Sequence, residues 1–225
     1  MVEAAGTVAS RVGPVVDSNV HLWEQRRNPV FWLADRTMVQ DMIGNYDVLP
    51  DTYTLADYND ATAPFDVSGI VWSDAGAADP VAAAEQVADL ARRLPRLQVV
   101  LDHFGWPEDL SASGRRTHLA QLHLVAEQPN VATRIDAIGT IFRDWDTDTV
   151  RPWLRDVVAA FGPERCMLGS DLPIETLRSS FTDLYTAYDA IFDAFSDDDR
   201  RALFADTARR VYGVGAAGGA ASETA

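Results

Sequence analysis

Residues 15–24 read VVDSNVHLWE and contain the first strand-like pattern of the chain. Two valines open the stretch, and three polar side chains, Asp17, Asn19 and His21, follow at every second position. In a β-strand, side chains two residues apart lie on the same face of the sheet. The pattern therefore predicts a strand that begins in apolar surroundings and carries, toward its carboxyl end, three groups able to bind a substrate or a metal ion.

Four further stretches share this strand-like character. Each contains an apolar run and ends near glycine or proline, as β-strands commonly do. The five predicted strands are VVDSNVHLW (15–23), VSGIVWSDAG (67–76), LQVVLDHFG (97–105), NVATRIDAIG (130–139) and CMLGSDLPI (166–174). Apolar residues at three- and four-residue spacings predict helices over 79–94, 115–128, 149–161, 180–195 and 196–213.

Strands that alternate with helices predict an α/β fold in which the strands are parallel. In a barrel of this kind, functional residues collect at the carboxyl ends of the strands. No Gly-rich phosphate-binding loop follows a strand, which argues against a nucleotide-binding sheet. We therefore predict a TIM-barrel-like parallel barrel, because polar residues close all five strands: Asp17, Asn19 and His21; Asp74; Asp102 and His103; Asp136; Ser170 and Asp171.

Composition and charge exclude several classes of partner. The 225 residues carry a formal net charge of −15, which would repel nucleic acid and anionic lipid surfaces.

The start of the chain lacks the basic and apolar regions of a leader, and the single cysteine, Cys166, cannot form an intramolecular disulfide. We expect a cytoplasmic protein with one domain over residues 13–214, a flexible N-terminus over 1–12 and a disordered tail over 215–225.

Several longer motifs resemble the amidohydrolase-related family, a group of barrel hydrolases that includes sugar lactonases. DSNVHLWE (17–24) is similar to the family's first-strand pattern D-x-H-x-H-x-W, and VVLDHFGWP (99–107) to its sixth-strand pattern. FGPERCMLGSDLPI (161–174), followed by ALFADTARRVYGV (202–214), resembles its eighth strand and closing helix. The resemblance implies a TIM barrel that hydrolyses a lactone or a related cyclic ester or amide.

The same resemblance implies a role for each matching site residue. Asp171 would be the general base, and His103 would act beside it in catalysis or bind metal. A divalent metal such as zinc would be held by His21, His103 and Asp171. Arg134 could hold a substrate carboxylate, as basic residues do in family members that work without a metal, or it could pair with one of the many acids of the chain.

Asn19 stands where the family has its first histidine. An amide is a poorer zinc ligand than imidazole or carboxylate, so the exchange predicts weak metal binding or a metal-free site. Asn19 would then hydrogen-bond the substrate or a water molecule.

Other polar and aromatic residues admit structural roles. We expect Asp17 to hydrogen-bond its strand or His21, and Asp102 to bond backbone or His103. Residues His118 and His123 are expected to be exposed or packed, and Trp23, Trp32 and Trp72 to line the core or a pocket.

The chain is short for this fold. Residues 73–103 pass from what resembles strand two, through one helix, into what resembles strand six, whereas a complete barrel takes about 250 residues. The resemblance therefore implies an incomplete barrel with open sheet edges, which a closed barrel lacks. Two expectations follow: self-association that covers the edges, and, as an alternative to a hydrolase, an inactive remnant that binds a small molecule or a protein.

Overall fold

A computed structural model describes residues 8–26, 30–72, 92, 95 and 98–214. The predicted helix over 79–94 lies almost entirely outside these residues, as do the predicted tail over 215–225 and the first seven residues. Within the predicted flexible N-terminus, residues 8–12 are helical and the Val8 side chain packs in the core. The boundaries of the domain stay a prediction.

All five predicted strands are present, together with a short antiparallel pair that the sequence did not indicate. The strands of the described residues are β1 (Val15–Val20), β2 (Trp23–Glu24), β3 (Thr52–Tyr53), β4 (Val67–Trp72), β5 (Val99–Leu101), β6 (Val131–Ile135) and β7 (Cys166–Leu168). β2 and β3 form the antiparallel pair, with Trp23 opposite Tyr53.

The five predicted strands, β1 and β4 to β7, run parallel, as the alternation with helices predicts. β1 pairs with β4, and β5, β6 and β7 form a second ladder in that order. An isolated parallel bridge between Val20 and Leu172 connects the end of β1 to the segment after β7. The described strands therefore follow the order β5, β6, β7, β1, β4, in which the last strand lies beside the first, as in a barrel.

The strands end earlier than the sequence pattern predicts. Three of the five predicted strands run into residues with positive φ, a region that non-glycine residues seldom adopt. After β5 the chain turns through His103 (φ 50°) and Phe104 (φ 42°), after β6 through Ala137 (φ 54°), and after β7 through Asp171 (φ 60°). These turns break the ladders at the edge where the polar side chains gather, and such strain is typical of functional sites.

Helices cover the outside of the sheet and supply much of the core. Besides the helical residues 8–12, the α-helices of the described residues are Phe31–Ala34, Gln40–Ile43, Leu55–Thr62, Ala112–Ala126, Ile138–Phe142, Thr147–Phe161, Phe181–Ile191, Asp197–Arg201 and Thr207–Tyr212. Thr147–Phe161 shows why they form: Asp146 caps its start by accepting a hydrogen bond from the Thr149 N–H at 2.8 Å. One of its faces is buried through Val150, Trp153, Leu154, Val157, Val158 and Phe161.

The last predicted helix, over 196–213, is confirmed with one irregularity. Ser196 caps its start by accepting a hydrogen bond from the Asp199 N–H at 3.1 Å, and Gly213 ends it with φ 68°. Between the two α-helical segments, Ala202–Asp206 forms a π-turn whose Leu203 and Phe204 are fully packed. Such turns re-aim side chains within a helix without ending it.

The predicted packing of the tryptophans is confirmed where the structure describes it. Trp23 and Trp32 are buried and meet edge to face, with ring centroids 5.9 Å apart. The side chain of Trp72 is outside the described part. None of the described helices is long and apolar enough to cross a membrane.

Candidate active site

Three of the predicted site residues meet at the Asp171 carboxylate. Its Oδ1 accepts a hydrogen bond from Asn19 Nδ2 at 2.9 Å and lies 3.2 Å from His21 Nε2. All three side chains are buried. No residue in the described part of the chain hydrogen-bonds the second oxygen, Oδ2, which leaves that oxygen for a water molecule or a substrate.

A close approach of two strands makes this contact possible. Just after β7, Gly169 lies so near β1 that an added Cβ would be 3.1 Å from both the backbone nitrogen of Asn19 and Ser18 Oγ. Asp17 fastens the same junction, since its carboxylate accepts hydrogen bonds from the Ser170 N–H at 2.8 Å and from Tyr58 Oη at 2.9 Å. It also accepts a hydrogen bond from the Asn19 N–H of its own strand at 3.2 Å, so the expected bond to the strand is confirmed, whereas no bond to His21 is seen among the described residues.

Burial makes Asp17 a weaker acid than an exposed aspartate. Removal from water raises its pKa to about 6, and hydrogen bonds from Ser170 and Tyr58 oppose part of that rise. The four donors around Asp17 are the N–H groups of Asn19 and Ser170 and the hydroxyls of Ser170 and Tyr58, and they keep the junction of β1 and β7 fixed beside the site.

A second pair of site residues joins the strands β5 and β6. His103 Nδ1 lies 2.8 Å from Asp136 Oδ1. Burial opposes the charged imidazolium, but the Asp136 carboxylate outweighs it and raises the pKa of His103 to about 9. Asp136 is itself fully buried, yet His103 and Arg134 lower its pKa to about 2. His103 is therefore a cation at neutral pH, and its partner is Asp136 instead of the neighbouring Asp102.

Arg134 is engaged within the protein. Its guanidinium lies 3.0 Å from Asp102 Oδ1 and donates to the Ser18 carbonyl at 3.0 Å, and its side chain is only 6% exposed. A longer contact of 3.7 Å connects it to Asp136 Oδ2. The expectation that Arg134 pairs with an acid of the chain is confirmed, whereas its binding of a substrate stays a prediction.

The structure adds one buried acid, Glu175, that the sequence analysis did not include in the site. Glu175 has no exposed surface, and its carboxyl accepts hydrogen bonds from the Gly139 N–H at 2.8 Å and from Ser179 Oγ at 2.5 Å. Burial raises its pKa to about 8, so it is mostly neutral at pH 7. The only sequence signal was its place four residues after Asp171, whose carbonyl accepts from the Glu175 N–H at 3.1 Å.

The two other histidines take the structural places expected of them. His118 is buried, and burial lowers its pKa. Its Nε2 donates to the Phe104 carbonyl at 2.9 Å, which supports the strained turn that carries His103. His123 is exposed on the same helix.

The predicted metal ligands do not converge as a set. In the parts of the chain that the structure describes, no group of three or more His, Cys, Asp or Glu side chains is placed to hold one ion. His21 and Asp171 face each other, whereas His103 faces Asp136. Asn19 points the N–H of its amide at Asp171 Oδ1. This group is a hydrogen-bond donor and not a ligand for a metal ion. These donors do not fit zinc as they stand.

Comparison with known proteins gives the family context. A family model described as Amidohydrolase matches residues 46–214. An L-fucono-1,5-lactonase of Burkholderia ambifaria is 36% identical over 124 residues, which make up 55% of this chain and 41% of that protein. The uncharacterized protein y4mH of Sinorhizobium fredii is 34% identical over 130 residues, or 58% of this chain and 43% of that protein. The chain thus matches less than half the length of these curated relatives.

Solved structures share the fold at low identity. An amidohydrolase from Burkholderia multivorans, crystallised with bound zinc, superimposes with a TM-score of 0.67 and 19% identity, covering 90% of this chain and 100% of that one. A putative 2-pyrone-4,6-dicarboxylic acid hydrolase from Pseudomonas putida gives a TM-score of 0.61 and 20% identity, covering 89% and 98%. These likenesses place the α/β architecture among the amidohydrolase barrels.

Proposed function

The chain belongs to the amidohydrolase family, and on that premise we propose that it is a hydrolase that opens a small lactone or a similar cyclic ester or amide. The observation that carries the proposal is the Asp171 carboxylate. Oδ1 is held by Asn19 and His21, and Oδ2 has no hydrogen-bond partner within the described residues. A carboxylate fixed in this way can take a proton from an attacking water molecule.

His103 is the second catalytic residue of the proposal. Its imidazolium carries a positive charge at neutral pH because Asp136 lies 2.8 Å from Nδ1. The opposite ring nitrogen can donate a hydrogen bond to the carbonyl oxygen of the substrate, where negative charge develops during attack by water. Asp171 as base and His103 as donor together supply both proton contacts that the hydrolysis of a lactone needs.

The side chains present do not support a reaction step through a metal ion. An ion shared by His21, His103 and Asp171 would need these side chains to turn away from their present partners, and Asn19 would have to exchange its donor for an acceptor. A site without metal is the form of the proposal that the donors support.

The charges around the site favour an uncharged substrate. The site contains three carboxylates and two cations. The cations are already paired, His103 with Asp136 and Arg134 with Asp102, so the third carboxylate, Asp171, leaves the site with a net negative charge. A substrate that carries carboxylates of its own would be repelled. The half-buried Trp106 lies beside His103 with ring centroids 5.4 Å apart and offers a wall for a ring-shaped substrate. Since one relative is an L-fucono-1,5-lactonase, a sugar lactone is the first substrate to test.

The experiment compares Asp171→Asn with the wild type on a panel of sugar and aliphatic lactones. We expect kcat to fall by about 10²–10⁴-fold, since the variant loses its general base. Asp60→Asn, on an exposed helix face, is the control and should retain wild-type rates. If the wild type and Asp171→Asn open every lactone equally slowly, the hydrolase proposal is wrong.

A binding module without turnover is the second candidate. Asn19 in place of a histidine and the short match to the relatives favour it. Calorimetry separates the two, because a binding module would bind a lactone with measurable heat while the lactone remains intact.

We further propose that the barrel is incomplete. β4 and β5 are the outermost strands of the described order and each has one strand neighbour there, whereas the 26 residues between them, 73–98, leave little length for three strands with helices. Association of two chains would cover these edges. The cytoplasmic location expected from the sequence stays a prediction.

A further inference from the structure

Asn19 occupies a singular place in the site. It lies in β1 with no exposed surface, at the position where the motif of the first strand has a histidine. Its Nδ2 donates to Asp171 Oδ1 at 2.9 Å. The same side chain lies beside the Asp136 carboxylate and helps to lower the pKa of Asp136. The amide thus bonds the carboxylate at the end of β7 and lowers the pKa of the carboxylate at the end of β6.

The orientation of this amide follows from its neighbours. If it were reversed, its oxygen would face the oxygen of Asp171, and two acceptors would oppose each other. In the observed orientation, Asn19 Oδ1 is a buried acceptor with no hydrogen-bond partner among the described residues. An unpaired acceptor is unfavourable, so the donor contact to Asp171 outweighs it in fixing the side chain.

We propose that Asn19 is a positioning residue whose amide takes the place of a metal ligand and holds the Asp171 carboxylate through Oδ1. With Oδ1 held by Asn19 and His21, the carboxylate presents Oδ2 to water. The link to catalysis rests on the proposed function, but the zinc measurement below does not.

The first test measures bound zinc by elemental analysis after incubation with zinc and dialysis. The wild type and Ser18→Ala, which loses only a hydrogen bond to the Leu168 carbonyl, are expected to retain no stoichiometric zinc. Asn19→His restores an imidazole, which zinc prefers to an amide, and is expected to retain about one ion per chain. The proposal is overturned if the wild type holds one zinc that Asp171→Asn abolishes, or if Asn19→His gains none.

The second test separates positioning from general damage to the fold. In Asn19→Ala, kcat should fall at least about tenfold with KM nearly unchanged, because the Asp171 carboxylate loses the donor that holds it in position. Ser18→Ala should leave both unchanged. An Asn19→Ala variant that folds and keeps the wild-type kcat, or whose KM rises as much as kcat falls, would contradict the proposal. If that variant does not fold, the zinc content of the wild type still decides. The hydrolase proposal is tested separately, by the loss of activity in Asp171→Asn.

Discussion

The charge on His103 depends mainly on the Asp136 carboxylate, with a smaller contribution from Asp171. Burial by itself would favour a neutral imidazole, yet the carboxylate 2.8 Å from Nδ1 raises the pKa of His103 to about 9. The folded pKa of His103 is above its ordinary value of 6.5, so the pair stabilises the fold fully below pH 6.5 and loses that contribution as the pH rises through about 9. The Asp136 side of the pair acts above pH 3.8 and is lost as the pH falls through about 2.

Asp136→Asn tests this dependence. Without the negative charge, burial prevails, and we expect the pKa of His103 to fall from about 9 to the region of 6.5 or lower. NMR titration of the His103 ring measures the change, and the free energy of unfolding should lose its dependence on this pair between pH 6.5 and 9. Asp102→Asn is the matched control, because Asp102 pairs with Arg134 and should leave His103 near 9. An unchanged His103 in Asp136→Asn would contradict the assignment.

The sequence could predict which side chains reach the site, but not how they pair. Alternation along residues 15–24 places Asn19 and His21 together, and both meet Asp171 as the motifs imply. The partner of His103 could not be predicted, because a choice between Asp102 and Asp136 depends on the turn at φ 50° that swings the ring away from its own strand. Glu175 carried no periodic signal, since its burial arises from contacts with Gly139 and Ser179.

Strands and helices were predictable where local pattern and packing agree. The helix Thr147–Phe161 has an acidic cap, an apolar face and a glycine after its end, and it is observed within two residues of the predicted 149–161. The strand ends were less predictable. Pattern alone extends the last strand to residue 174, whereas the ladder ends at Leu168 because Asp171 adopts a left-handed conformation. The pair β2–β3 was missed because two-residue strands carry no alternation.

Gly169 controls how closely β7 approaches β1, and Gly169→Ala tests that contact. The new methyl group would lie 3.1 Å from Asn19 N and Ser18 Oγ, which is tighter than ordinary packing. We expect a loss of about 1–3 kcal/mol in the free energy of unfolding and a lower kcat, since Asp171 moves away from Asn19. Urea unfolding and lactone assays measure both effects.

A double variant provides the control for Gly169→Ala. Ser18→Ala removes one of the atoms that the new methyl group would meet, so the combined cost should be less than the sum of the single costs. Strict additivity would show that the two sites do not share this contact.

The arrangement of the strands in the sheet was only partly predictable from the family resemblance. It anticipates the last strand beside the first, which the Val20–Leu172 bridge shows, and the gathering of polar residues at one edge. It could not anticipate what covers β4 and β5, because the edges of a sheet are completed by whatever chain is available, including another copy.

Self-association through the β5 edge can be tested with one proline. The Val99 N–H bonds the Asn130 carbonyl beside β6. Successive N–H groups along a strand point to opposite sides, so the Val100 N–H faces away from β6, on the side where β5 has no strand neighbour among the described residues. Val100→Pro removes that outward donor and blocks edge pairing while the β5–β6 bonds remain. We expect the wild type to have about twice the monomer mass of 24.6 kDa by light scattering, and Val100→Pro to have the monomer mass with a cooperative melt. Val99→Pro, which removes an internal bond, should instead lower the melting temperature. A wild type that is monomeric at every concentration and melts cooperatively would show that the edges are satisfied within one chain.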